Sequence, residues 1–134
     1  MAERRHTEIE SAALAVVHDF VAAWNSNDMS RVLALMDEDV FYHNIPVAPL
    51  VGRRAVSDYL GSKGGFDWIN WQLLNIAVDG HKVLTERVDD FSIGGVAVSL
   101  PIMGTFEVHD GKIKAWRDYF DMDGYRRQLA QPKQ

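Results

Sequence analysis

The chain has 134 residues, is acidic and contains no cysteine. Its 14 Lys and Arg against 19 Asp and Glu give a formal net charge of −5, which argues against partners that need a positive field, namely nucleic acids and anionic membranes. Without Cys there is no disulfide, thiol nucleophile or cysteine-ligated metal site. We expect a single domain over residues 1–134, long enough to bury a core without a covalent or metal staple.

The N-terminal part of the sequence does not have the pattern of a membrane or targeting segment. Its nearest apolar stretch, 12–17, is followed directly by His18 and Asp19. A membrane-spanning helix needs about 20 apolar residues, and a signal peptide has different flanks. We therefore expect a soluble, cytoplasmic protein with no membrane partner.

The first third of the sequence predicts a long helix. Thr7 and Glu10 have the spacing of a capping box, in which each side chain satisfies a backbone donor at the helix start. From Ile9 to Trp24 the apolar residues recur at helical spacing, and the polar run 25–28 should end the helix.

Shorter elements follow. Asp28 is placed to cap a second helix that carries apolar residues over 32–36. A first strand is expected over 40–45, and a short helical segment over 52–60. At the other end of the chain, Asp121 or Asp123 could cap a final helix.

Beyond residue 67 the apolar period changes to two, which indicates β-structure. Four long strands are predicted, over 68–78, 82–91, 96–108 and 113–120. Asp79-Gly80 and Asp110-Gly111 suit tight hairpin turns, because Gly accepts positive φ. Helices and strands segregated in this way predict an α+β fold: a curved, cone-shaped, mostly antiparallel sheet with the N-terminal helices packed over its concave face.

Strand alternation places polar side chains on faces that also carry aromatic residues. Asp118, for example, shares its face with Trp116 and Phe120. If the aromatic faces point inward, five polar residues enter an apolar interior: Tyr42, Asn44, Arg87, Asp89 and Asp118. Because buried charges are costly unless paired, we expect these groups to lie together.

One Arg between two carboxylates also makes chemical sense. The planar guanidinium of Arg87 can donate to both Asp89 and Asp118, so that one carboxyl is kept protonated and the other ionised. The alternative is structural: Arg87 and Asp89 form a surface ion pair, Asp118 pairs across a hairpin, and Tyr42 and Asn44 are satisfied core polar groups. The residue pattern alone leaves both interpretations open.

Three segments that contain these residues resemble the limonene-1,2-epoxide hydrolase family. They are Tyr-His-Asn-Ile-Pro at 42–46, Thr-Glu-Arg-Val-Asp at 85–89 and Trp-Arg-Asp-Tyr-Phe-Asp at 116–121. The resemblance extends from about residue 28 to residue 121. It implies the cone-shaped fold shared with nuclear transport factor 2, ketosteroid isomerase and SnoaL-like polyketide cyclases.

The resemblance also implies roles for the five polar residues. Asp118 would be the base that takes a proton from water, and Tyr42 and Asn44 would hold that water. Asp89 would be the acid that protonates the epoxide oxygen, with Arg87 linking the two Asp. The family opens the ring in one step, with no cofactor and no metal.

An apolar epoxide requires an apolar wall around the ring. The candidates for this wall are Trp24, Trp68, Phe91, Leu100, Ile102 and Phe120, each of which also suits the core. The five His are scattered and form no pair with metal-ligand spacing. The expected partners are a small apolar epoxide, water and a second copy of the chain, because relatives commonly dimerise through the outer face of the sheet.

Two other functions remain open from the sequence. One is a ketosteroid isomerase or polyketide cyclase type of enzyme on the same fold, which would use an Asp to abstract a proton from carbon. The other is a non-catalytic ligand-binding module, which would tolerate the cavity without needing both Asp89 and Asp118.

Overall fold

The computed structural model describes residues 5–132. Within that range the elements in chain order are α1 (Glu8–Asn25), α2 (Met29–Ala34), β1 (Met36–Asn44), β2 (Leu50–Val51), α3 (Arg53–Ser62), β3 (Trp68–Asp79), β4 (Lys82–Ile93), β5 (Val96–His109), β6 (Lys112–Tyr119) and α4 (Met122–Leu129).

The strands form one six-stranded sheet in the order β2-β1-β6-β5-β4-β3. Neighbouring strands pair antiparallel except β1 and β6, which are parallel. The sheet is open, and α1 packs on β3, β4 and β5. This arrangement confirms the predicted α+β class with a mostly antiparallel sheet.

The start of β1 differs from the expectation. The second helix was expected to include Met36, but α2 ends at Ala34 and Met36 is the first residue of β1. Met36 pairs with Ile113 of β6, and the Ile113 N–H donates to the carbonyl of Leu35 at 2.9 Å. Pairing with β6 therefore draws this segment into the sheet, whereas the preceding helix of six residues has little stability of its own.

The capping box at the start of α1 is confirmed. Glu10 N–H donates to Thr7 Oγ1 at 3.1 Å, and Thr7 N–H donates to Glu10 Oε1 at 3.0 Å. The second carboxylate oxygen of the buried Glu10 accepts the N–H of Gly80 at 2.9 Å, in the turn between β3 and β4. One side chain therefore both starts the helix and fixes it to the sheet.

An aromatic layer joins α1 to the inner face of the sheet. Phe20 is fully buried and meets Trp116 edge-on at 5.0 Å and Phe106 at 5.8 Å between ring centroids. Trp24 stacks on Trp71 at 4.9 Å. Edge-on and stacked aromatic pairs each add about 0.5–1.5 kcal/mol beyond the area they bury, so this layer holds α1 firmly against the sheet.

Helix α4 begins after Asp121 as expected, but the Asp121 side chain makes no capping hydrogen bond. Instead it lies 3.7 Å from Arg127 in an exposed ion pair. No helix within residues 5–132 is long and apolar enough to cross a membrane.

Candidate active site

A cavity opens between the inner face of the sheet and the helices. It holds about 590 Å³ of empty space, counting the part of its mouth that is open to solvent. Every predicted site residue lines this cavity except Arg87 and Trp68. The cavity-lining residues among the predicted set are Tyr42, Asn44, Asp89, Asp118, Trp24, Phe91, Leu100, Ile102 and Phe120.

Arg87 lies beneath the two carboxylates and is closed off from solvent. Its Nε and Nη2 donate to the two oxygens of Asp89 at 3.0 and 2.9 Å. Its Nη1 and Nη2 donate to the two oxygens of Asp118 at 3.2 and 2.9 Å. The side chain of Arg87 is 0% exposed, and those of the two Asp are 4% and 5% exposed. The guanidinium therefore binds both carboxylates bidentately, as paired buried charges require.

Gly104 makes room for this trio. In the sheet register Gly104 on β5 lies between Thr85 on β4 and Asp118 on β6. A Cβ at this position would collide with Arg87 Nη1 and with Asp118 Oδ1. Only glycine lets the guanidinium cross β5 to reach the carboxylate on the next strand.

Three further residues hold the trio in place. Trp116 Nε1 donates to Asp118 Oδ1 at 2.8 Å, and Arg87 Nη1 donates to Thr85 Oγ1 at 3.1 Å. The guanidinium also lies over the ring of Trp71, 4.4 Å from its centroid. None of these three roles is predicted from the sequence. Strand alternation nevertheless indicates two of these residues, because Thr85 lies on the same face of β4 as Arg87, and Trp116 lies on the same face of β6 as Asp118.

The environment separates the proton affinities of the ionisable groups. Burial raises the pKa of Asp89 to about 6, the Arg87 guanidinium opposes that rise, and the charge of Asp118 adds to it. Burial disfavours the charged form of Arg87, but the two carboxylates outweigh it and raise the pKa of Arg87 above its ordinary value. Asp89 can therefore hold a proton in mildly acidic conditions beside a permanent cation.

Tyr42 and Asn44 reach the same region from β1. The parallel pairing of β1 with β6 sets Tyr42 beside Trp116 and Asn44 beside Asp118. The ring of Tyr42 stacks on Trp116 at 4.3 Å. Burial, and then the charge of Asp118, raise the pKa of Tyr42 well above its usual range, so its phenol remains a hydrogen-bond donor.

Five of the six residues predicted for the apolar wall line the cavity, and Trp68 does not. Trp68 is 47% exposed, and its side chain lies on the opposite face of β3. The buried neighbours Ile69 and Trp71 line the cavity instead. Ile69 pairs with Phe91 and Trp71 with Asp89, which both line the cavity, so strand alternation gives the inner face to residues 69 and 71 and the outer face to Trp68.

The mouth of the cavity contains three polar residues that were not predicted from the sequence. Tyr59 and Lys63 come from α3 and its C-terminal cap, and Tyr125 comes from α4.

Within residues 5–132 no group of three or more His, Asp or Glu is placed to hold a metal ion. The site thus combines a carboxyl that readily keeps a proton, a second carboxyl, two polar groups beside it and an apolar wall.

Comparisons with known proteins agree with this chemistry. Residues 11–130 match the model of the limonene-1,2-epoxide hydrolase catalytic domain. The chain is 36% identical over 106 residues to epoxide hydrolase EphG of Mycobacterium tuberculosis (strain ATCC 25618 / H37Rv), which covers 79% of this chain and 71% of that protein.

Solved structures show the same fold, and one of them is an epoxide hydrolase. An M. tuberculosis LEH-like epoxide hydrolase superposes with a TM-score of 0.78 at 34% identity, over 90% of this chain and 93% of that one. A protein of Catenulispora acidiphila DSM 44928 with a ketosteroid isomerase-like fold superposes with a TM-score of 0.74, over 87% of this chain and 93% of that one. At 19% identity this second match shows the fold alone. The chain therefore belongs to the limonene-1,2-epoxide hydrolase family and is an epoxide hydrolase.

Proposed function

We propose that the enzyme adds water to an apolar, cyclic or terpenoid-like epoxide and gives a vicinal diol in one step, without a cofactor. The observation that carries the proposal is the buried guanidinium of Arg87, bound bidentately to both Asp89 and Asp118 at the bottom of a mostly apolar cavity. This arrangement supplies one carboxyl that accepts a proton and one that donates a proton to the same small volume.

Asp118 is the proposed base. Water is a poor nucleophile, so a carboxylate must accept its proton as it attacks carbon. Asn44 lies beside Asp118 in the sheet register, and Tyr42 lies two residue pairs away on the same face, with its phenol kept neutral. A water held by these three side chains has its lone pair directed at the substrate, which removes much of the entropic cost of the attack.

Asp89 is the proposed acid. The C–O bond of the ring breaks toward an alkoxide, which is strongly basic and needs a proton as it forms. Asp89 gives that proton to the ring oxygen while Asp118 receives one from water, so the proton count balances. The turnover leaves Asp118 protonated and Asp89 ionised. Because Arg87 is bonded to both, it stabilises either arrangement while the proton returns to Asp89 through solvent or product.

The test is hydrolysis of cyclohexene oxide and limonene oxide in water labelled with heavy oxygen. We expect diol with one labelled oxygen at the attacked carbon, and an unchanged rate in EDTA. The absence of diol from every epoxide, together with activity on a carbon acid, would instead support an isomerase or cyclase. Binding of the epoxide without turnover would support a non-catalytic module.

We further propose that this single domain works in the cytoplasm as a homodimer that pairs through the outer face of its sheet. Leu84, Met103 and Tyr119 are 42%, 50% and 47% exposed on that face, so a second copy would cover apolar surface. Size-exclusion chromatography with light scattering should give about twice the chain mass of 15.1 kDa. A monomer at micromolar concentration would contradict this part of the proposal.

A further inference from the structure

The mouth of the cavity carries a cation that the proposed reaction does not use. Lys63 follows the last residue of α3, is half-buried and lines the cavity. Its Nζ lies 4.6 Å from the centroid of the Tyr59 ring, which contributes a cation–π contact. The ammonium is therefore held at the opening by an aromatic face instead of extending into solvent.

The charge of Lys63 has no carboxylate partner within residues 5–132. The ion pairs of this range involve other cations, and the two carboxylates of the cavity are bound to Arg87. A cation that lines a cavity without a protein anion beside it is able to bind an anion that enters from solvent.

Tyr125, on α4, brings a hydroxyl to the same cavity. Its ring packs edge-on against Phe91 and Phe120 at 6.1 and 6.2 Å, which anchors α4 to the cavity. Burial raises the pKa of Tyr125, while the charge of Lys63 and a hydrogen bond with it act to lower that pKa. The ammonium and the hydroxyl thus line the same cavity, and each can donate a hydrogen bond to a ligand.

We propose that Lys63 and the Tyr125 hydroxyl bind a carboxylate at the end of the substrate remote from the epoxide ring. This inference rests on the proposed function, and it narrows the substrate class to amphipathic epoxy acids. The cavity fixes the orientation, because the cation at its bottom, Arg87, is already bound to two carboxylates, whereas Lys63 at its mouth has no carboxylate partner within residues 5–132 and attracts one. The apolar wall then encloses the hydrocarbon chain between the two ends.

A purely structural role for Lys63 makes a different prediction. A cation at the C-terminus of α3 stabilises the helix through the macrodipole, whatever the substrate. Removal of that role lowers thermal stability and affects charged and neutral substrates alike. A binding role instead changes the KM of the acid alone.

The experiment uses a matched pair of substrates, the terminal epoxide of undecenoic acid and its methyl ester. We expect the wild-type KM to be about fivefold lower for the acid, the scale of one partly exposed charge pair, and the difference to shrink as salt is added. Lys63→Gln should raise the KM of the acid to that of the ester, with kcat and the ester kinetics unchanged. Lys63→Arg should restore much of the preference.

Lys82→Gln is the matched control, since it removes the same charge from an exposed site at the first residue of β4. It should leave the acid preference intact. Equal KM values for acid and ester in the wild type, or an unchanged preference in Lys63→Gln, would overturn the inference while the hydrolase function stands. If neither compound yields diol and limonene oxide also yields none, the proposed function itself fails.

Discussion

The bottom and the mouth of the cavity are built on opposite principles. At the bottom, Arg87, Asp89 and Asp118 are buried, mutually bonded and held by strands. At the mouth, Lys63 and Tyr125 are half-buried, lie on or next to helices and line the same cavity. The bottom has little freedom to change, whereas the mouth can adapt to another ligand with little disturbance of the fold.

We expect this difference to separate the chemical step, at the bottom of the cavity, from the choice of substrate, at its mouth. Buried charges are kept only where every partner is in place, so a change at the bottom affects stability and chemistry together. A half-exposed cation contributes less energy and is screened by salt, so a change at the mouth alters which substrate binds. We therefore expect variants of the two regions to differ both in magnitude and in the kinetic constant that they change.

The largest expected effect is at the bottom. Asp118→Asn keeps the shape of the side chain and removes its ability to accept a proton, so kcat should fall by about a hundredfold or more. Asp89→Asn should do the same by removing the acid. The measurement is diol formation with a saturating epoxide, with thermal unfolding to show that each variant is folded. A folded variant with a near wild-type rate would remove that carboxyl from the mechanism.

Gly104→Ala tests the room that the trio needs. The added methyl collides with Arg87 Nη1 and Asp118 Oδ1, so both kcat and the unfolding temperature should fall. Overpacking of a core typically costs about 1–3 kcal/mol. The control is Gly61→Ala in α3, where a Cβ meets nothing within 4 Å and the helix favours Ala. If the two variants had equal kcat values and equal unfolding temperatures, the trio would have room for a methyl group at β5.

The pH dependence follows from the proposed acid role of Asp89, whose pKa burial raises to about 6. Asp89 must be protonated to donate, so kcat should fall about tenfold per pH unit above this value. The stability changes in the same direction: the raised pKa stabilises the fold fully below the ordinary value near 4, and this contribution is lost as pH rises through 6. The residual activity of Asp89→Asn should lack this alkaline limb, and a wild-type rate that stays flat from pH 5 to 8 would contradict the assignment.

Most of the bottom of the cavity could be predicted from sequence, because strand alternation is a local rule. It placed Arg87, Asp89 and Asp118 on inner faces, and the cost of buried charge implied that they meet. It did not identify Gly104, because the need for glycine arises from the guanidinium crossing β5, which is a property of three strands in register.

The mouth could not be predicted for a related reason. Lys63 and Tyr125 are 62 positions apart in sequence, on α3's cap and on α4, and only the packing of both helices around the opening brings them together. Trp68 was assigned wrongly for a different reason, because it lies at the start of β3, where a shift of one position decides whether a side chain enters the cavity or faces solvent.

The smallest expected effect is on the wall between the two regions. Ile102 is buried on β5 and lines the cavity, so Ile102→Val removes one methylene from contact with an apolar substrate. One buried methylene is worth about 0.8 kcal/mol, which predicts a rise of about fourfold in the KM of limonene oxide with kcat nearly constant.

Trp68→Ala is the informative control for that measurement. It removes far more apolar volume than Ile102→Val, but from the exposed face of β3, outside the cavity. Its KM for limonene oxide should therefore equal that of the wild type, whereas the proposed dimer, which pairs through this outer face, should be weakened. If Trp68→Ala raised the KM more than Ile102→Val in the monomeric and the dimeric fraction alike, the apolar wall would extend beyond the cavity. The division of the site into bottom, wall and mouth would then be wrong.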